Sequence, residues 1–154
     1  MECFNMRNNI FVLSRDRFKK EISQLSEQQF MATAFVSIHE PKNKIINGHV
    51  EAWPVILEES ENVLNLWFND CEEECPDVEA VLFDEEMGQN LIEFVEKNKD
   101  KKQWILHCTM GQSRSGAVGE FLADYFGIAY HSFKRDNPQV KPNTLVKNTL
   151  RKYL

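Results

Sequence analysis

The sequence predicts an α/β fold, a single domain built on a central, mostly parallel sheet of four to five strands flanked by helices. Two observations carry that reading. Short apolar runs rich in β-branched and aromatic residues alternate with segments whose apolar residues recur at helical spacing, in the order β-α-β…β-α-β-α. At 154 residues the chain is also long enough to bury roughly two-thirds of the surface its unfolded form exposes, with no repeat, low-complexity tract or linker to divide it. One domain over residues 1–154 follows.

Asn9 to Leu13 reads as the first strand, and Ser14 as the N-cap of a helix with Phe18, Ile22 and Leu25 on one face. Ala34 to Ile38 is a second, buried strand. The turn-rich stretch after it, from His39 to Pro54, leaves the carboxyl end of that strand, where open α/β sheets border their ligand crevice. His39 and Lys42 are therefore candidates for a pocket rim, with a solvated loop as the alternative. Val55 to Leu57 suggests a short edge strand, and Val63 to Phe68 a third convincing one that delivers Asn69 and Asp70 to the next loop. Asp84 caps a helix carrying Met87, Leu91, Phe94 and Val95. Trp104-Ile105-Leu106 is the fourth strand. A helix from Ser115 places Ala117, Val118, Phe121, Leu122, Tyr125 and Phe126 on its apolar face and stops at Gly127. Pro142-Asn143 opens a last helix with Leu145, Val146 and Leu150 in register.

Composition narrows the function. A net charge of −6 supplies no general basic face, so neither nucleic acid nor an anionic membrane is an expected partner. No apolar run reaches the length of a membrane span, and Met1-Glu2-Cys3-Phe4-Asn5 lacks the pattern of a secretion signal, so a cytoplasmic location is expected. Cys71 and Cys75 have Cys-x3-Cys spacing without a second Cys or His pair, which argues against zinc; no metal or cofactor is expected.

Residues 103–116 organise the chain. A buried strand ends at Cys108, a short loop follows, and Arg114 stands six residues after the cysteine at a helix start. Strand, tight loop and helix N-terminus gather backbone N–H groups around an anion, here along Thr109, Met110, Gly111, Gln112 and Ser113. Arg114 adds a planar two-pronged donor. A cysteine at the mouth of such a ring sees positive potential from amides, helix dipole and guanidinium, and that potential favours the attacking thiolate.

His107-Cys108-Thr109-Met110-Gly111-Gln112-Ser113-Arg114-Ser115 resembles the His-Cys-x5-Arg-Ser/Thr signature of cysteine-dependent protein tyrosine phosphatases, and its Gly111 and Ser113-Arg114-Ser115 details look most like the dual-specificity branch. A bare Cys-x5-Arg arises by chance about one time in six, but with the flanking His, Gly and Ser the figure falls to roughly one in ten thousand. The resemblance implies a dual-specificity phosphatase-like fold and a phosphocysteine mechanism. Cys108 attacks phosphorus, Arg114 and the loop amides hold the oxygens, and His107 faces inward to tune the thiolate and position the loop through hydrogen bonds; a buried, satisfied histidine is the alternative. Ser115 stabilises the sulfur as a leaving group, or else simply caps a helix.

The leaving oxygen needs a proton from another loop at the same sheet edge. Asn69-Asp70 resembles the start of the general-acid loop of dual-specificity phosphatases and makes Asp70 the choice over Glu72, Glu73, Asp77 and Asp84. Pro142-Asn143 is similar to a late Pro-Asn whose Asn braces the phosphate loop, though N-capping explains it as well. Cys71 and Cys75, beside Asp70, are candidate redox partners for Cys108, with unreactive bystanders as the alternative. The substrate implied is a phosphorylated protein or a small phosphoester. Thr109, Met110 and Gln112 are not basic, and Glu72-Glu73-Glu74 repels polyanions. An RNA 5′-triphosphatase shares the motif and is the competing activity. A non-catalytic phospho-binding module needs a damaged motif, and the signature of an arsenate reductase-like enzyme lies near the N-terminus.

Overall fold

The computed structural model describes residues 9–41, 57–72 and 79–154. Within them the elements run β1 (Asn9–Ser14), α1 (Arg15–Ile22), α2 (Glu27–Met31), β2 (Thr33–His39), β3 (Val63–Trp67), α3 (Glu85–Lys97), β4 (Gln103–Cys108), α4 (Arg114–Tyr125), α5 (Tyr130–Asp136) and α6 (Thr144–Leu150). The described strands form one sheet in the order β1-β4-β2-β3, and every pairing is parallel. This is the expected α/β architecture with four strands. Parallel pairing explains why the strands read as continuous apolar runs: both faces are covered, and all seven residues of β2 are buried.

The two faces carry different layers. Ile10, Val12, Val36, Leu66, Trp104 and Leu106 pack with the apolar faces of α3, α4, α5 and α6. Phe35, Val63 and Ile105 face the other way, onto Phe18 of α1 and the half-buried Ile22, Leu25 and Phe30. The period-2 alternation of a strand does this sorting, one residue to each side.

Three elements differ from the sequence reading. The first helix ends at Ile22, and Leu25 reaches the same apolar layer from the turn beyond it. α2 and α5 are not legible from periodicity: α2 has five residues with none buried, and α5 buries Phe133 alone. Of the proposed edge strand, Val55 and Ile56 lie outside the described residues. Leu57 is not in a strand; its carbonyl accepts from Asn65 Nδ2 at 2.9 Å.

Among the described residues the outer edge of β1 is met by side chains rather than by another strand. Asn137 Oδ1 accepts from Val12 N at 2.8 Å and its Nδ2 donates to Ile10 O at 2.9 Å, copying the two bonds a neighbouring strand offers.

Candidate active site

Strand β4 lies between β1 and β2, so its carboxyl end opens at the middle of the sheet. Cys108 stands there, only 2% exposed and free, with Sγ 3.0 Å from Ser115 Oγ on the first turn of α4. The N-cap of α4 is Ser113, and it makes no side-chain cap bond. Ser115 is thus inside the helix and its hydroxyl is directed at sulfur, which removes the capping alternative.

The loop between Cys108 and Arg114 holds its carbonyls outward. Thr109 O accepts from Arg15 N at 3.2 Å, Gln112 O from Lys141 N at 2.9 Å, and Ser113 O from Asn143 N at 3.0 Å. Gly111 has φ +69°, and a Cβ there would sit 2.4 Å from the backbone of Leu13 and Ser14. Only glycine fits, because the left-handed conformation and the contact with the β1–α1 junction both exclude a side chain.

Arg114 is 3% exposed and gripped from behind. Nη1 donates to Phe68 O at 2.9 Å, and Nη2 lies 2.9 Å from Glu40 Oε1 and 3.2 Å from Thr109 Oγ1. Glu40 in turn accepts from Asn69 Nδ2 at 3.0 Å. The buried Nε has no hydrogen-bond partner among the described residues. A guanidinium fixed on one side with a buried donor left over is arranged for a further acceptor, which an oxyanion in the loop would supply. Glu40 is the residue sequence reasoning missed. The signal available was positional: it is the first carboxylate after the carboxyl end of β2, the strand beside β4.

Asp70 joins the same site. Its Oδ1 accepts from Ser113 Oγ at 2.8 Å and from Asn143 Nδ2 at 2.9 Å. Asn143 Oδ1 also caps α6 by accepting from Val146 N at 3.0 Å, while its side-chain amide holds the Asp70 loop and only its backbone N–H reaches the Cys108–Arg114 loop, at Ser113 O. Among the rivals for general acid, Glu72 Oε2 is committed to Thr144 N, Thr144 Oγ1 and Leu145 N at the start of α6, and Asp84 caps α3 through Met87 N at 2.9 Å. Glu73, Asp77, Cys75 and Lys42 lie outside the described residues. Met110 is 66% exposed and Gln112 is exposed as well, so neither closes the loop from above.

Three expectations are corrected. Cys71 is disulfide-bonded while Cys108 is free, so the Cys71 sulfur is not a thiol waiting to resolve an oxidised Cys108. His107 does not position the loop through hydrogen bonds. Its ring stacks on Phe18 at 3.9 Å between centroids, on the opposite face of β4 from Cys108, and neither ring nitrogen has a well-aligned partner. Burial first, then the neighbouring His39, push its pKa down from 6.5 to about 3, against an opposing contact with the Cys108 backbone. His39 is no pocket rim: it ends β2, fully buried, with Nε2 2.9 Å from Asn65 Oδ1 and its ring against Trp67.

A groove of about 1130 Å³, lined by Met31, Asn62, Trp67, Phe94 and Lys101, lies apart from Cys108, Arg114 and Asp70. No protein-family model matches the chain, and no curated protein sequence matches it. Among solved structures, it is similar to Tk-PTP in the active form, with a TM-score of 0.52 at 17% identity over 95% of this chain and 90% of that one. The human tyrosine phosphatase-like serine/threonine/tyrosine-interacting protein gives a TM-score of 0.49 at 16% identity over 85% of this chain and 82% of its own. The chain therefore shares the fold of Tk-PTP, a parallel sheet flanked by helices.

Proposed function

We propose that the chain is a metal-independent phosphoric monoester hydrolase of the cysteine-dependent type, a small tyrosine or dual-specificity protein phosphatase. The supporting observation is the convergence at one sheet edge of the Cys108 thiol, the Ser115 hydroxyl 3.0 Å from it, a loop with outward carbonyls, and Arg114 with an unengaged buried Nε. In the first step the Cys108 thiolate attacks phosphorus in line. The S–P bond forms as the ester P–O bond breaks, and Asp70 protonates the leaving oxygen. Arg114 and the loop amides hold the equatorial oxygens, and those donors matter most as charge redistributes in the transition state. In the second step water attacks phosphocysteine and gives a proton to Asp70. The S–P bond breaks, and the Ser115 hydroxyl donates to the departing thiolate. The non-basic Thr109, Met110 and Gln112 suit a single phosphate on a protein or small ester better than a polyphosphate.

The test is hydrolysis of an aryl phosphate with a chelator present. Wild type turns over and Cys108→Ser does not. Asp70→Asn slows esters with poor leaving groups by roughly 10²–10⁴-fold and an activated aryl ester far less. Activity that disappears with chelator and survives Cys108→Ser overturns the reading.

A further inference from the structure

One carbonyl of the loop is held differently from three of its neighbours. Thr109 O, Gln112 O and Ser113 O are bound by backbone N–H groups of other segments, whereas Gly111 O accepts from the side chain of Gln139 at 3.1 Å. The same Nε2 donates to Val12 O on β1 at 2.8 Å. Both partners are carbonyl oxygens, so only the NH₂ end of the amide fits, and its two hydrogens are both used.

Gly111 is where such a pin has most to do. The peptide plane joining Gly111 to Gln112 turns about the glycine's own backbone, the least restricted of any residue. Because a trans peptide is planar, its C=O and N–H point in opposite directions, and fixing one fixes the other. Gln139 draws Gly111 O outward to β1, so Gln112 N–H points back into the ring. If that plane turned over, a carbonyl oxygen would face the anion in place of a donor.

We infer that Gln139 is a positioning residue that sets oxyanion affinity by locking the Gly111–Gln112 peptide. The inference rests on the loop being an anion site, as proposed above, but not on its hydrolysing anything. Gln139 is half-buried, in the segment between α5 and α6, so its replacement leaves the core intact.

The experiment compares Gln139→Met, which keeps the length and removes the donor, with Gln139→Glu, which puts an acceptor against two carbonyls. Tungstate affinity by calorimetry, melting temperature, and kcat and KM for an aryl phosphate are measured on all three proteins. Tungstate binding weakens about tenfold in Gln139→Met and further in Gln139→Glu, while the two melt within a few degrees of each other. Affinities within twofold of wild type in both variants overturn the inference, and so does a wild type that binds no tungstate. A wild type that binds tungstate with this ranking yet hydrolyses nothing supports the inference and sinks the hydrolase reading instead. Turnover by wild type with no ranking does the reverse.

Discussion

Trp104, Leu106 and Cys108 point to one face of β4, and Ile105 and His107 to the other. On the first face the strand ends in a network where nearly every polar group is engaged: Cys108 with Ser115, Arg114 with Glu40, Asp70 with Ser113 and Asn143. On the second the strand ends in packing, with His107 between Phe18 and His39. Adjacent positions of one strand thus hold the proposed nucleophile and a neutral, stacked imidazole that does not touch it. Polar character at the end of a strand becomes chemistry only on the side where other loops converge.

The largest effect expected from disturbing the first face comes from Gly111→Ala. The new Cβ would meet backbone at 2.4 Å in a left-handed conformation, so either the loop or the β1–α1 junction moves. Turnover of an aryl phosphate should fall on the order of 10³-fold, because several anion donors are displaced at once. Retained secondary structure by circular dichroism would show that the loss is local. An alanine variant with near-normal kcat/KM would mean that the loop geometry is not what matters.

The second face predicts an effect on stability rather than turnover. The pKa of His107 is lowered from 6.5 to about 3, so between those values the unfolded chain takes up a proton that the folded protein refuses. Its contribution is present in full above pH 6.5, drains away as the pH falls, and levels off below about 3. The shift amounts to about 5 kcal/mol over that window. His107→Phe keeps a ring on Phe18 and removes the titration. Urea unfolding at pH 7, 5 and 4 should show wild type losing stability more steeply than the variant, while kcat/KM changes less than tenfold. Parallel pH dependence in the two proteins would assign the acid sensitivity to carboxylates.

The legible parts of this molecule are those in which one local stretch carries its own geometry. The four strands show themselves as short apolar runs, and the helices α1, α3, α4 and α6 by period. The Cys108–Ser115 loop shows itself because glycine, cysteine and arginine at fixed offsets satisfy a local backbone shape. Asp70 was legible through its place at the end of β3, although the order that sets β2 between β3 and β4 is tertiary. Glu40 and Gln139 were not legible. Each acts on a partner more than 25 positions away, and nothing in their own surroundings marks them. The misreading of His107 had a correction within the sequence: a residue next to an inward cysteine on a strand must point outward from it.

The smallest expected effect belongs to Glu72, which ties the Asp70 loop to α6 through Thr144 and Leu145. Asn143 independently caps α6 and independently holds Asp70 Oδ1, so Glu72→Ala leaves both the helix and the carboxylate with a partner. What it removes is a charge-assisted clamp two residues from Asp70, worth about 1 kcal/mol in loop and helix stability. Turnover should fall about two- to fivefold for an ester with a poor leaving group, where the position of the proton donor counts, and hardly at all for an activated aryl ester. A double-mutant cycle separates this from a general loosening. If Glu72 works by holding Asp70, Glu72→Ala does nothing further once Asp70→Asn is in place. An equal loss in both backgrounds would place its influence on the phosphate loop through α6 and Asn143 instead.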